Sequence, residues 1–314
     1  IGTFTAPPGR PAQPGNRAEG IYVTELDTVT GKLTTPRLVA KTASPSWLVY
    51  DKARGILYAT NEYDGFTDPK TGARSGSISA YRVDKASGDL SPLPPVAVTN
   101  STNLALDPSG KWMMGASWAH GVASLLPVAA DGTAGPVADV FKAEGPRNPD
   151  QAADQPPGNQ MTSNHAQARE HGIAFHPGGK YVVTDDAGVD TINVFTYGGG
   201  KLTKVKTYPQ VPGSSPRHSV WDAKGRNLYT VFEQDMMVSV NAFDPATGAL
   251  TERQRLSTLP PGFAGSAAAA EILLSKDGKH LYASNRFHDS IAHFAVKPDG
   301  TLTYVSDTPT GTNV

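Results

Sequence analysis

The sequence predicts an all-β protein, a β-propeller built of four-stranded blades. Three observations carry that expectation. Short runs alternate apolar and polar residues on both sides of tight turns. Two distinct motifs of this kind alternate along the chain, and no segment sustains a helical period. With 314 residues the chain has ample length for a core, and one propeller domain over 1–314 is expected.

The first motif is an apolar strand, a turn holding Asp, Lys or Gly, and a second strand ending in a small polar residue. Its copies run Pro45–Glu62, Asn103–Trp118, His171–Gly188, Pro216–Glu233 and Ala269–Arg286. Their turn glycines, Gly55, Gly110, Gly179, Gly225 and Gly278, recur every 46–69 residues. The second motif opens on Gly or Asp and continues as an alternating strand, a Gly turn and a closing Leu strand. It is clearest in Gly76–Leu90 and Asp289–Leu302, with further copies opening at Gly20, Gly121, Asp190 and Met237.

One copy of each motif makes four strands. A lone four-stranded sheet cannot bury both of its faces, so repeated units must stack, as the blades of a propeller do. A β-sandwich would fit the hairpins but not the alternation of two motifs. Residues 1–5 also read as a strand. Two segments break the period: residues 63–75 extend one loop, and residues 141–170 form a long polar insertion without strand pattern. Loops that long in a compact fold are functional or disordered, and the second ends on His171, which marks it as a lid candidate.

Composition narrows the function classes. Lys+Arg 28 against Asp+Glu 29 leaves a net charge of -1, so the surface excess of positive charge that nucleic acid or an anionic membrane requires is missing. No apolar run approaches the 18 residues of a membrane span. The chain has no cysteine, which removes disulfides, thiolate nucleophiles and cysteine metal sites. The eight histidines form no His-x-x-x-His pair or dense acidic cluster, so no metal and no other cofactor is expected. Gly198–Gly200 is a hairpin turn with no Lys-Ser/Thr after it, and no Gly-x-Ser-x-Gly elbow occurs.

The strand ends carry a resemblance. In order stand Leu57-Tyr-Ala-Thr-Asn-Glu62, His171-Gly-Ile-Ala-Phe-His-Pro177, Asp186-Ala-Gly-Val-Asp190, Ser215-Pro-Arg-His218, Glu233, Ala270-Glu-Ile272, and Leu281-Tyr-Ala-Ser-Asn-Arg-Phe-His-Asp-Ser-Ile291. The whole chain resembles the seven-bladed propeller lactonases, the group containing propeller-type 6-phosphogluconolactonase and the fungal carboxymuconate lactonizing enzyme. The resemblance implies a site of one His, one Glu and two Arg at the mouth of a central channel, here His171, Glu233, Arg217 and Arg286. Asp186, His218 and Glu271 stand beside them as substrate-side candidates. Glu62 joins these because it holds the place in its blade that Glu233 holds in its own. Asn103, Thr191 and Arg169 depart from the family pattern, which bears on the substrate more than on the reaction. Seven blades would also need a further unit after Asn313-Val314. Either about 45–55 residues are missing, with residues 1–5 belonging to the missing blade, or the ring closes with six; truncation is the preferred reading.

Opening a lactone takes an activated water, a stabiliser for the tetrahedral oxyanion and a proton for the leaving alkoxide. Glu233 or His171 fits the acid and base roles. Arg286 and Arg217 fit as binders of the oxyanion and of a substrate anion. Each candidate has a plainer reading: His171 as a cap to the insertion, Arg217 and Arg286 as interblade ion pairs with Glu233 and Glu271, and Glu62 as a repeat feature. Strand alternation turns His218 to the face opposite Arg217. The expected activity is hydrolysis of a small anionic sugar or acid lactone by a monomer. A propeller that binds a protein or glycan without catalysis is the alternative, and lactonization by the same residues a second. Low Lys content and Ile1 in place of an initiator Met lean toward a periplasmic or secreted protein; the sugar-phosphate role that the resemblance implies leans toward the cytoplasm.

Overall fold

The computed structural model describes residues 1–5 and 18–311. Among them every regular element is a strand. They are β1 (Gly20–Val23), β2 (Arg37–Lys41), β3 (Pro45–Asp51), β4 (Ile56–Thr67), β5 (Arg74–Val83), β6 (Leu90–Val98), β7 (Asn103–Leu106), β8 (Trp112–Ser117), β9 (Val122–Pro127) and β10 (Asp139–Lys142). Then follow β11 (Glu170–Phe175), β12 (Tyr181–Asp186), β13 (Thr191–Gly198), β14 (Lys201–Pro209), β15 (Pro216–Trp221), β16 (Asn227–Phe232), β17 (Met237–Asp244), β18 (Ala249–Ser257), β19 (Ala268–Leu274), β20 (His280–Arg286), β21 (Ser290–Val296) and β22 (Leu302–Pro309). They form five four-stranded antiparallel sheets, β3–β6, β7–β10, β11–β14, β15–β18 and β19–β22, and one two-stranded sheet, β1–β2. Each four-stranded sheet joins one copy of each sequence motif; β1–β2 is the sixth copy of the second motif standing alone.

The turn residues show why the motifs take the form they do. All five turn glycines of the first motif have φ between 65° and 72°, where a Cβ is strained. Three of the six residues that open the second motif are left-handed as well, Gly121 at 64°, Asp190 at 51° and Asp289 at 53°. At those three positions Gly and Asp interchange because both tolerate the left-handed region.

The chain divides into two compact units, residues 1–119 with 124–140, and residues 120–123 with 141–314. In the first, Ile56, Tyr58, Ile78, Leu104, Met113 and Leu126 build a buried cluster between successive sheets. Residues 1–5, expected as a strand, do not form one, although Tyr22 N donates to Ile1 O at 2.9 Å and Thr3 Oγ1 to Gly20 O at 2.6 Å. Residues 63–75 are not an extended loop. β4 and β5 resume pairing beyond an irregularity, Phe66 opposite Ser75 and Thr67 opposite Arg74.

In the second unit the β15–β18 sheet supplies one core with β11–β14, around Val183, Val194, Leu228 and Phe232, and another with β19–β22, around Tyr229, Val240, Leu281 and Phe294. Each fully buried side chain of this size contributes about 1.5–3 kcal/mol. Tyr229 is wholly buried and its hydroxyl donates to Gly300 O at 3.0 Å, in the hairpin of the next sheet; Tyr58 does the same to Gly132 O at 2.7 Å in the first unit. Tyr58 and Tyr229 of the first motif are thus ties to backbone carbonyls beyond their own hairpins. Burial pushes both phenols up to about 12, so they stay protonated donors.

The insertion expected over 141–170 is irregular from 143 to 169, its ends being taken by β10 and β11. It is pinned at several points. Gly265 N donates to Pro157 O at 2.9 Å, Gln160 N to Ser266 Oγ at 3.1 Å, and Gln234 Nε2 to Met161 O. Buried His165 places Nε2 3.3 Å from Asp190 and 3.2 Å from Ser215 Oγ. Asn313 and Val314, after which the sequence places a further blade, lie outside the described residues.

Candidate active site

The candidate site rests on three irregularities at the same place in consecutive sheets. In β11, Glu170 pairs with Asp186 and Gly172 with Asp185, leaving His171 as an extra residue. In β15, Pro216 pairs with Phe232 and His218 with Val231, leaving Arg217 extra. In β19, pairing skips from Ala269 to Ile272, so Ala270 and Glu271 stand against one partner. A bulge sets adjacent side chains on one side of the strand. Strand alternation is broken there, and the expectation that His218 faces away from Arg217 is overturned: Arg217 Nη1 bonds Ala270 O at 2.7 Å and His218 Nδ1 meets Glu271 Oε2 at 2.9 Å, both on β19.

Close strand packing makes the convergence possible. A Cβ on Gly172 would stand 2.5 Å from Arg217 O and 2.5 Å from Asp185 Oδ2. Glycine there lets β11 and β15 approach, and His171 Nδ1 lies 3.1 Å from His218 Nε2.

Glu233, just past β16, is the hub of the charged half. Its Oε2 accepts from Arg217 Nε at 3.1 Å, and its Oε1 forms an ion pair with Arg286 Nη2 at 3.0 Å, while Arg286 Nη2 donates to Ala269 O at 3.2 Å. Its backbone is held as well, the N–H donating to Ser215 O and the carbonyl accepting from Ala269 N. The side chains of Arg217, Glu233 and Arg286 retain 16%, 21% and 31% of their exposure, so the group is sunken yet reachable from solvent.

The electrostatics separate these groups. Burial drives His171 well below the ordinary imidazole range, and the Arg217 guanidinium adds to it, so the ring is neutral at pH 7. Burial also lowers His218, against the pull of Glu271. The Glu271 carboxyl is raised by burial but more than offset by His218 and Arg217, and it ends below its usual value. Behind His171, burial followed by Asp186 pushes Glu170 well above the carboxylate range, and burial alone takes Asp185 to about 7.

His171, Arg217, Glu233 and Arg286 are therefore brought together, and His218 and Glu271 join them directly. Asp186 is not in the group. It accepts backbone N–H bonds from Arg169, Gly188 and Val189 at 2.8–2.9 Å and closes the β12–β13 turn. Glu62 lies in the first unit, its N–H donating to Ser44 O as that of Glu233 does to Ser215 O; it is the repeat equivalent of Glu233. The plainer reading of the arginines holds for Glu233 but not for Glu271, which pairs with His218. Asp185 was missed by sequence reasoning, since only burial distinguishes it from other strand-end aspartates. Among the described residues no three His, Asp or Glu side chains gather as a metal-holding group. A separate groove in the second unit, lined by Gln155, Pro157, Asp235, Pro261, Phe263 and Tyr304, contains none of the four.

A neutral imidazole thus stands beside two guanidinium groups that share one carboxylate, on the repeated four-stranded sheets of a β-propeller. The family described as "Lactonase, 7-bladed beta-propeller" matches residues 1–314, and the chain belongs to it. It is 29% identical over 300 residues to a 6-phosphogluconolactonase of Bacillus subtilis (strain 168), covering 94% of this chain and 79% of that protein. It also resembles the solved structure of a periplasmic gluconolactonase from Pseudomonas aeruginosa, with a TM-score of 0.82, 28% identity, and cover of 100% and 83%. A Lactobacillus plantarum protein superposes with a TM-score of 0.80 at 26% identity, covering 98% of this chain and 81% of that one. Membership makes lactone hydrolysis the activity of the class to which the chain belongs.

Proposed function

We propose that the protein hydrolyses a small anionic sugar or acid lactone, with His171 as general base and then acid, and Arg217 and Arg286 as the anion-binding pair. The observation that carries this is the neutral His171 ring set beside two guanidinium groups joined through Glu233. His171 takes a proton from water as its oxygen attacks the lactone carbonyl. The negative charge that develops on the carbonyl oxygen is met by a guanidinium already in place, which stabilises the transition state. The ring C–O bond then breaks and the imidazolium returns its proton to the leaving alkoxide, giving the open hydroxy acid.

Glu233 is assigned an orienting role, because each of its oxygens is paired with a guanidinium group. Arg217 Nη2 and Arg286 Nη1 make no hydrogen bond to the described residues and are the donors offered to substrate. One free terminal nitrogen on each of two guanidinium groups that share a single carboxylate favours a substrate carrying its own carboxylate or phosphate besides the lactone carbonyl. All the groups belong to one chain, and the reaction as drawn uses no metal or other cofactor. An exported location, by analogy with the relative described as periplasmic, goes with a sugar-acid lactone better than with a phosphorylated one.

Acid release in a pH-stat over a panel of lactones, among them glucono-δ-lactone, 6-phosphogluconolactone and muconolactone, tests the reading. Acceleration over the spontaneous rate, greatest for a charged ring, is expected. No acceleration on any member by folded protein would remove lactone hydrolysis of this class as the function.

A further inference from the structure

We propose that His218 and Glu271 are positioning residues that fix the tautomer of His171, holding a proton on Nδ1 and leaving Nε2 as the basic nitrogen. The inference rests on the reading of His171 as the base. It departs from a substrate-binding role for His218 and Glu271, because both are spent on a chain running away from the guanidinium pair.

Glu271 is ionised at neutral pH and only accepts, so the 2.9 Å contact to His218 places a proton on His218 Nδ1. With His218 neutral, its Nε2 carries a lone pair. The 3.1 Å contact from His218 Nε2 to His171 Nδ1 then takes its proton from His171. With His171 neutral as well, Nε2 is the only ring nitrogen left with a lone pair. Arg217 Nη1, 3.4 Å from His218 Nδ1, is a competing donor at that nitrogen; the shorter 2.9 Å contact to the Glu271 carboxylate decides the proton, and Nη1 spends its own short bond, 2.7 Å, on Ala270 O.

The chain also supplies a counter-charge. When His171 becomes an imidazolium, the Glu271 carboxylate, two hydrogen bonds away, is the negative group that offsets it through His218. The other charged groups facing the two rings are Arg217 and Arg286, which oppose the imidazolium, and Glu233, which favours it. Their balance keeps the ring a base and makes its proton transient.

Glu271→Gln is the informative variant because it keeps the shape and removes the charge. An amide nitrogen turned toward His218 Nδ1 reverses both donors in the chain and puts the proton on His171 Nε2. The expected result is a 10²–10⁴-fold fall in kcat with KM changed less than about 3-fold. The acid limb of the pH–rate profile moves to lower pH, since the imidazolium loses its counter-charge. Histidine 15N spectra of the wild-type protein are expected to show His171 as the Nδ1–H form, and those of Glu271→Gln as Nε2–H or a mixture. A wild-type ring in the Nε2–H form, or a folded Glu271→Gln protein with unchanged kcat and pH profile, overturns the proposal. His171→Gln separates the two readings. If it leaves hydrolysis intact, the base assignment fails; if it abolishes hydrolysis while Glu271→Gln is fully active, only the positioning role fails. The wild-type tautomer needs neither a substrate nor a folded variant.

Discussion

Arg286 and Glu233 form one unit at the level of single side chains, and substitution of either should disturb both guanidinium groups. Arg286→Ala removes a donor from the position of developing charge and is expected to lower kcat/KM by about 10²–10³-fold, read from initial rates on the best lactone. The buried ionisable groups set opposite pH trends. Asp185 has a folded pKa of about 7 against an unfolded value near 3.8, so the native state binds the extra proton. Its stabilising effect is complete below about pH 4 and is lost as pH rises through 7. His171 runs the other way: its folded pKa is depressed, so its stabilising effect is present above pH 6.5 and lost as pH falls below that. Asp185→Asn is therefore expected to flatten the acid-favouring part of the stability curve, gaining on the order of 2–4 kcal/mol over wild type at pH 8 and little at pH 4. Thermal unfolding of both proteins across pH 4–8 measures it; a constant difference between them would show that Asp185 is ionised in the native state. The nearness of His171, Arg217, Glu233 and Arg286 was legible because each sits in a short motif at a strand end. Asp185 was not, because its environment is made by Gly172 and Ser219 from other strands.

Register decides what the strands deliver to the site. Period-two alternation locates the strands and most of their buried faces, yet it misplaces His218. The reason is the extra residue in β15: an inserted residue reverses facing from that point, and nothing in Ser215-Pro-Arg-His218 marks the insertion. The equivalent irregularities in β11 and β19 hide the nearness of His171 and Glu271 in the same way. Gly172 is the element-scale test. Gly172→Ala sets a Cβ against the Arg217 carbonyl, forcing β11 and β15 apart. It is expected to cost about 1–3 kcal/mol and to lower kcat by lengthening the contact between His171 and His218. Wild-type kcat and stability in this variant would show that the strands have room to spare. Tyr229→Phe leaves Gly300 O without its donor and is expected to cost about 1–2 kcal/mol in denaturant unfolding without change in KM.

For the molecule as a whole, repetition was the most legible property. Five copies of one motif and six of the other correspond to five four-stranded sheets and one two-stranded sheet. The left-handed turn positions explain why Gly and Asp punctuate them. The long insertion was visible only as a break in the period. Its path could not be read, because it is held by scattered bonds from Gln151, Asn159 and His165 rather than by a repeating pattern. It is tied down along its length, which accounts for a 27-residue irregular segment inside a compact unit. The account turns on whether the neutral histidine and paired guanidinium groups open a lactone. The most direct measurement is acid release from the preferred lactone by wild type, His171→Gln and Arg286→Ala at equal concentration and pH 7.5. Hydrolysis well above the spontaneous rate in wild type, and reduced at least 100-fold in both folded variants, is the expected result. Equal rates in all three proteins would contradict the account and remove the chemistry from this site.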